Sequence, residues 1–363
     1  MRVTRQIHIG RLAIGGGAPV SVQSMTNTDT GDLEATLAQV CTLAAAGCDL
    51  IRVAVPNRRC LPAFTALCQQ SPLPVIADIH FSAELAVAAI EAGAAGVRIN
   101  PGNLGGPDEL RRVAAAARSA GVPIRVGVNS GSLEKDLLEL HGHPTAAALA
   151  ESARRHCRQL EALGFAQVKV SIKASDVRTT VAANRLFAAD TDYPLHLGVT
   201  ESGTAAGGIV KSAIGIGALL LDGIGDTIRV SLTAPPEEEI RAAIRILEAT
   251  GVRTAWPDLV SCPTCGRTAV DLISLVNEVE AAIGRIKAAG GHIGLRRIAI
   301  MGCAVNGPGE AREADLGIAG DTHGGVLFRR GEIVRRLQEA ELLPALLDEI
   351  RAHTVFDAPT ASA

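Results

Sequence analysis

The chain has 363 residues, 47% of them hydrophobic and 20% charged, with 35 Lys and Arg against 38 Asp and Glu for a net charge of −3. Aromatic residues are nearly absent: six Phe, Tyr193 and Trp256. A platform for single-stranded nucleic acid needs rings on a basic face, and an anionic membrane surface needs an excess of positive charge. Neither is expected here, although a local basic pocket remains open.

A core of this size must be built from Ala, Val, Ile and Leu, and the length suggests two domains or one large barrel with an appendage. The first six residues, Met1 to Gln6, lack the apolar stretch of a signal peptide. The longest apolar runs, such as Ala213 to Leu221, are broken by glycines and fall short of the ~18 residues of a spanning helix. We therefore expect a soluble cytoplasmic protein whose cysteines are reduced, metal-bound or buried.

Eight β-rich segments recur: Pro19–Ser24, Asp49–Val55, Pro74–Ile79, Gly96–Asn100, Ile124–Asn129, Gln167–Lys173, Pro194–Thr200 and Thr227–Leu232. Between them lie stretches of helical periodicity, among them Leu33 to Val40 and Ala83 to Ile90. Strand–helix alternation implies right-handed crossovers and a parallel sheet. Eight such units match a (β/α)8 barrel of ~250 residues. An open doubly wound sheet is the runner-up.

Polar residues in these strands favour the barrel. Strands covered on both faces should be nearly all apolar. Here Arg98 and Asn100, Arg125 and Asn129, Lys169, Ser171 and Lys173, His196 and Thr200, and Arg229 and Ser231 recur at even spacing, which places each set on one strand face. Buried charge is costly unless paired. Internal pairs with Asp78, Asp49 and Glu201 are one explanation; a barrel mouth that holds an anion is the other, and the number of converging cations favours it.

The barrel is expected to span residues 1–235. A linker with a helix over Glu238–Thr250 fills 236–255, and a second unit covers 256–350. That unit should hold helices over Ala269–Ala289 and Glu332–Ile350 and strands near Arg297–Met301 and Gly325–Arg329, followed by a disordered tail at 351–363.

All three cysteines of the second unit lie in Gly/Pro-rich loops: Cys262 and Cys265 in Ser-Cys-Pro-Thr-Cys-Gly, and Cys303, 38 residues after Cys265, before Asn306-Gly307-Pro308-Gly309-Glu310. The other five read as small buried hydrophobes. A thioredoxin-like dithiol needs no third thiol. Zinc needs a fourth ligand, for which His292 and His323 are candidates. An iron–sulfur cluster usually takes four cysteines; with three, one iron is left for another ligand, and Glu310 is either that ligand or an exposed loop carboxylate. Glycine loops at Gly102–Gly106 and Glu201–Gly208 follow strands and precede helices, a place where backbone N–H groups favour phosphate, and Lys211 lies just beyond the second. Gly215-Ile216-Gly217 does not make a dinucleotide fingerprint.

Several motifs together carry a family resemblance: Val22-Gln23-Ser24-Met25-Thr26-Asn27-Thr28, Ala77-Asp78-Ile79-His80-Phe81, Arg98-Ile99-Asn100-Pro101-Gly102-Asn103, Gly127-Val128-Asn129-Ser130-Gly131-Ser132-Leu133-Glu134, Val170-Ser171-Ile172-Lys173, Leu195-His196-Leu197-Gly198-Val199-Thr200-Glu201 and both cysteine loops. The chain resembles the bacterial 4-hydroxy-3-methylbut-2-en-1-yl diphosphate synthases of the methylerythritol phosphate route to isoprenoids, in their short two-domain form. Ser130 stands where the family pattern leads one to expect Ala.

The resemblance implies a (β/α)8 TIM barrel followed by a smaller α/β cluster domain. It implies reductive ring opening and dehydroxylation of 2-C-methyl-D-erythritol 2,4-cyclodiphosphate, with one 4Fe-4S cluster per chain on Cys262, Cys265, Cys303 and Glu310. Flavodoxin or ferredoxin would supply the electrons. The substrate set would be Arg52, Asp78, His80, Arg98, Asn100, Arg125, Asn129, Lys173, His196 and Lys211. Glu201 would be the general acid, with Thr200 and Asn306 hydrogen-bonding near it. A head-to-tail homodimer, each cluster domain capping the partner's barrel, is also implied. The competing enzyme reading is a phosphate-ester barrel lyase or transferase with a structural zinc domain.

Overall fold

The computed structural model describes residues 2–254, 257–303 and 311–356. The chain divides into two compact units, Met1–Arg253 and Thr254–Ala363.

The first unit opens with a hairpin of β1 (Ile7–Ile9) and β2 (Leu12–Ile14). Eight strands follow: β3 (Ser21–Met25), β4 (Leu50–Ala54), β5 (Val75–Asp78), β6 (Gly96–Ile99), β7 (Ile124–Asn129), β8 (Val168–Lys173), β9 (His196–Leu197) and β10 (Thr227–Ile228). They form one parallel sheet in the order β8-β7-β6-β5-β4-β3-β10-β9. A parallel bridge between Val170 and Leu195 joins β8 to the β9 segment and closes the barrel. All eight expected strands are present; the last two are shorter, because Gly198 and the segment after Ile228 turn toward the mouth.

The connecting helices are α1 (Leu33–Ala45), α2 (Leu61–Gln70), α3 (Ala83–Glu91), α4 (Pro107–Ala120), α5 (Lys135–His141), α6 (Ala146–Ala162), α7 (Val177–Ala188), α8 (Ala205–Leu221) and α9 (Pro236–Ala249). Short polar side chains start several of them by accepting an orphan backbone N–H. Asp32 accepts from Ala35 at 3.0 Å, Ser82 from Leu85 at 3.1 Å and Asp176 from Thr179 at 2.7 Å. The helix expected in a linker, α9, belongs to the barrel. It buries Ile240, Ala243, Ile246 and Leu247 in the barrel core, which moves the end of the first unit from 235 to Arg253.

The β1–β2 hairpin was not expected. Its Ile7, Ile9 and Ile14 pack with Leu50 and Ile76 of β4 and β5 and plug the N-terminal end of the barrel. Burying each isoleucine contributes roughly 1.5–3 kcal/mol. With that end covered, the cavity that penetrates the barrel lies at the strand C-termini.

The second unit holds a five-stranded sheet in the order β11-β13-β14-β15-β16. Its strands are β11 (Asp258–Ser261), β13 (Arg297–Met301), β14 (Leu316–Asp321), β15 (Gly324–Arg329) and β16 (Glu332–Leu337), with β12 (Gly291–Ile293) paired separately to β17 (Thr354–Phe356). Two helices, α10 (Leu272–Ala288) and α11 (Glu339–Ala352), share the unit's apolar core. The expected helix over Glu332–Ile350 therefore starts at Glu339. Residues 332–337 instead pair antiparallel with β15 through a turn in which Arg330 and Gly331 take φ of 49° and 82°. The first residues of the expected tail complete α11 and form β17, and residues 357–363 lie outside the described residues. No helix among the described residues is long and apolar enough to cross a membrane.

Candidate active site

The strand C-termini surround a cavity of about 270 Å³. Its lining comes from nearly every strand: Met25, Arg52, Asp78, Arg98, Arg125 with Asn129, Ser171 with Lys173, Thr200, and Arg229 with Ser231, with His80 at the rim. A larger groove of about 500 Å³ lies on the outer wall between α8 and α9, lined by Ile209, Ala213, Ala242 and Ile246 among others. It has no converging acid–base set and is away from the strand ends, so the mouth is the candidate site.

Asp78 is the carboxylate of the mouth. It lies 3.7 Å from Arg52, 3.3 Å from Arg98 and 3.4 Å from His80. Burial pushes its carboxyl up, but Arg52, His80, Arg98 and Arg125 outweigh that and hold it well below the usual carboxylate range. One anion does not neutralise the set. Arg125 is buried, and among the described residues no carboxylate lies within ion-pair distance of it; burial, then Arg52 and Arg98, lower its pKa. Arg52 is lowered to about 10 by burial, against the pull of Asp78, and it donates to the Met25 sulfur at 2.8 Å. Arg229 reaches Glu239 of α9 at 3.5 Å.

Two glycines make room for this crowd. A Cβ on Gly127 would lie 2.8 Å from the Arg98 Nε, and one on Gly198 would lie 2.5 Å from the Lys173 Nζ. Below the cavity, His196 is fully buried, with Nδ1 2.6 Å from the Thr227 hydroxyl. Burial and the cationic surroundings, Arg125 and Arg52 among them, keep its pKa well below the ordinary imidazole value.

The structure thus brings Arg52, Asp78, His80, Arg98, Arg125, Asn129, Lys173 and Thr200 to one cavity. Asn100 stands just outside the lining and accepts from the Gly102 N–H at 3.1 Å, fixing the loop after β6. His196 is a floor residue. Lys211 lies within α8 at an exposed position outside the cavity lining, and neither glycine loop contributes to that lining. Arg229 and Ser231, whose even spacing signalled an inward face, were missing from the expected substrate set. Gly127 and Gly198 carried the same signal as inward positions lacking a side chain. Glu201 follows Thr200, is exposed and takes the left-handed φ of 53°, a strained conformation for a residue with a side chain.

In the second unit, β11 and β13 are adjacent parallel strands, with Ser261 opposite Ile300. Their C-terminal ends therefore carry Cys262 and Cys303 to the same edge. The Gly302 N–H points at the Cys262 sulfur at 3.2 Å. Cys262, Cys265 and Cys303 are free thiols, and a hydrogen bond from the Arg267 backbone lowers the Cys265 pKa. Free thiols on neighbouring strand ends suit a soft metal group. Among the described residues no three Cys, His, Asp or Glu side chains gather as a metal site. Asn306 and Glu310 lie outside the described residues.

Of the aromatic residues, exposed Phe81 sits 5.9 Å from the His80 ring. Tyr193, just before β9, is at the N-terminal end of the barrel, bonded to Glu161 and covered by Arg5 at 3.9 Å. No Phe, Tyr or Trp is among the lining residues described.

A closed (β/α)8 barrel with cations converging on a small mouth defines a barrel enzyme for an anionic substrate. Fold likeness at low identity agrees on the barrel alone. A dihydropteroate synthase of Yersinia pestis is 16% identical over 70% of this chain and all of its own, with a TM-score of 0.50. A type I 3-dehydroquinate dehydratase of Clostridium difficile is 13% identical over 68% of this chain and 98% of its own, with a TM-score of 0.51. The sequence goes further. Residues 4–244 match the GcpE TIM-barrel domain and residues 258–352 the GcpE protein C-terminal domain. The 4-hydroxy-3-methylbut-2-en-1-yl diphosphate synthase (flavodoxin) of Geobacter sulfurreducens is 55% identical, covering 96% of this chain and 97% of its own. The Desulfotalea psychrophila protein of the same name is 54% identical, covering 96% and 95%. The chain belongs to the GcpE family of 4-hydroxy-3-methylbut-2-en-1-yl diphosphate synthases.

Proposed function

We propose that this chain converts 2-C-methyl-D-erythritol 2,4-cyclodiphosphate to (E)-4-hydroxy-3-methylbut-2-enyl diphosphate, with two electrons from flavodoxin. The observation that carries this reading is the convergence of Arg52, Arg98, Arg125, Lys173 and Arg229 on one cavity where, among the described residues, Asp78 is the one lining carboxylate. A compact dianion supplies the missing negative charge. Arg98 and Arg125 hold the diphosphate oxygens, Asn129 adds a neutral amide, and Asp78 orients Arg52 and Arg98 through their ion pairs. A lining without Phe, Tyr or Trp among the described residues suits a small non-aromatic substrate.

Breaking a C–O bond reductively needs electrons and a proton. Glu201 is the group we assign to protonate the departing hydroxyl, with Thr200 beside it in the cavity wall. We assign Cys262, Cys265 and Cys303 as three ligands of a 4Fe-4S cluster and Glu310 as the fourth, with Asn306 near the reacting oxygen. When bound, that cluster supplies single electrons and a Lewis-acidic iron. The free state of these thiols and the adjacency of the strand ends that carry Cys262 and Cys303 support the assignment. We also read the chain as cytoplasmic and as a homodimer in which the second unit of one protomer serves the partner's barrel.

Anaerobic purification tests the metal assignment: about four irons per chain is expected, and colourless protein with one zinc overturns it. Mixing Cys303→Ala chains with Glu201→Ala chains tests the dimer. Recovered activity is expected from heterodimers with one intact site; activity no higher than either variant alone rules out sites shared between protomers.

A further inference from the structure

Four of the five cations lining the mouth are arginines, and a guanidinium stays charged at any working pH. Lys173 is the one that can lose its charge. The side chains facing it come from every neighbouring element: Arg125 on β7, Arg229 after β10, Arg52 on β4, Arg98 on β6, His196 on β9 and Lys169 earlier on its own strand. Against these stand Asp78, already shared by Arg52, Arg98 and His80, and Glu239, engaged with Arg229. The deeper Asp226 accepts from Thr4 at 2.7 Å and from the Leu195 N–H at 2.8 Å.

A cation this crowded relieves repulsion by releasing its proton. Burial and the four guanidiniums lower Lys173 well below the ordinary lysine value. An entering dianion reverses the balance, because it brings two negative charges into the space the guanidiniums enclose.

We propose that Lys173 is neutral in the ligand-free barrel and takes up a proton as the cyclic diphosphate enters, so that substrate binding and proton uptake are one event. The proposal rests on the mouth being the diphosphate site. It assigns the proton to the protein because both phosphates of the ring are diesters, whose remaining acid groups are ionised throughout the neutral range. Linkage then requires affinity to fall as pH rises, approaching about tenfold per pH unit where uptake is complete.

Anaerobic titration calorimetry of the cyclodiphosphate onto the holoenzyme, in buffers of different ionisation enthalpy, reads the proton number directly. Uptake approaching one proton per site is expected for the native protein. Lys173→Arg, which keeps a permanent charge, should bind with uptake close to zero. Binding whose heat is the same in every buffer overturns the proposal, and so does undiminished uptake by Lys173→Arg, which would move the proton to Lys169 or His196. Absence of binding by the native holoenzyme would instead overturn the diphosphate-site reading itself. The native measurement stands even if the variant does not fold.

Discussion

The amine of Lys173 occupies the space a side chain at Gly198 would fill: a Cβ there would lie 2.5 Å from Nζ and 2.6 Å from the Arg229 carbonyl oxygen. The lysine can swing aside, but the Arg229 backbone cannot. Gly198→Ala should therefore cost about 1–3 kcal/mol of stability. It should also reduce kcat/KM on the order of 10²-fold, as displacement of a positioning group by about 1 Å does. Gly127→Ala meets only the Arg98 side chain and should be milder on both counts. Steady-state kinetics and urea unfolding check the ranking; native kinetics in Gly198→Ala would show that the packing of Lys173 is not needed.

Asp78 holds two guanidiniums and a histidine while only 3% exposed. Asp78→Asn leaves those cations uncompensated and should destabilise the barrel by about 3–5 kcal/mol. The folded carboxyl is depressed, so its stabilisation is fully present above the ordinary carboxylate pKa of about 3.9 and is lost as pH falls below that range toward the folded value. Urea midpoints measured from neutral to acid pH should drop for the native chain below about pH 4. The Asn variant should start lower and drop less.

The loop carrying Asn129 is tied down behind the site. Ser132 donates to the Asn129 side chain at 2.7 Å, Ser152 of α6 donates to Glu134 at 2.6 Å, and His156 of α6 lies 3.2 Å from the other Glu134 oxygen. Replacing buried His156 with Leu removes the ring that stands 3.2 Å from that oxygen and loosens the loop. KM for the cyclodiphosphate should rise while iron content stays native. Unchanged KM and thermal midpoint would make the contact incidental.

The hairpin plug gives a control. Ile9→Ala removes a side chain 2% exposed and should cost about 2–5 kcal/mol, yet leave KM as it is, because the plug lies at the end opposite the mouth.

Much of this was legible before the fold. Arg98, Arg125, Asn129 and Lys173 were recognisable because a charged residue at even spacing in a parallel strand must face a cavity or a partner. Arg229 obeyed the same rule, and its omission is a failure to apply it. Lys211 was singled out for its closeness in sequence to a glycine loop, and it stands in a helix outside the cavity lining. Residues 332–337 read as helix when joined to the strong pattern that begins at Glu339; the Arg330-Gly331 turn was the overlooked signal. Ile7, Ile9 and Ile14 alternate, but three-residue strands carry too short a pattern to separate from a loop. Gly127 and Gly198 matter through the side chains they admit, which only packing reveals.

The central claim is tested most directly by anaerobic turnover of the cyclodiphosphate with reduced flavodoxin, comparing the iron-loaded native chain with an iron-loaded Arg125→Met variant. The account predicts the linear allylic diphosphate from the native chain and loss of nearly all substrate binding and turnover in the variant. Iron-loaded native protein that leaves the cyclodiphosphate unchanged, or an Arg125→Met variant that turns it over at the native rate, would contradict it.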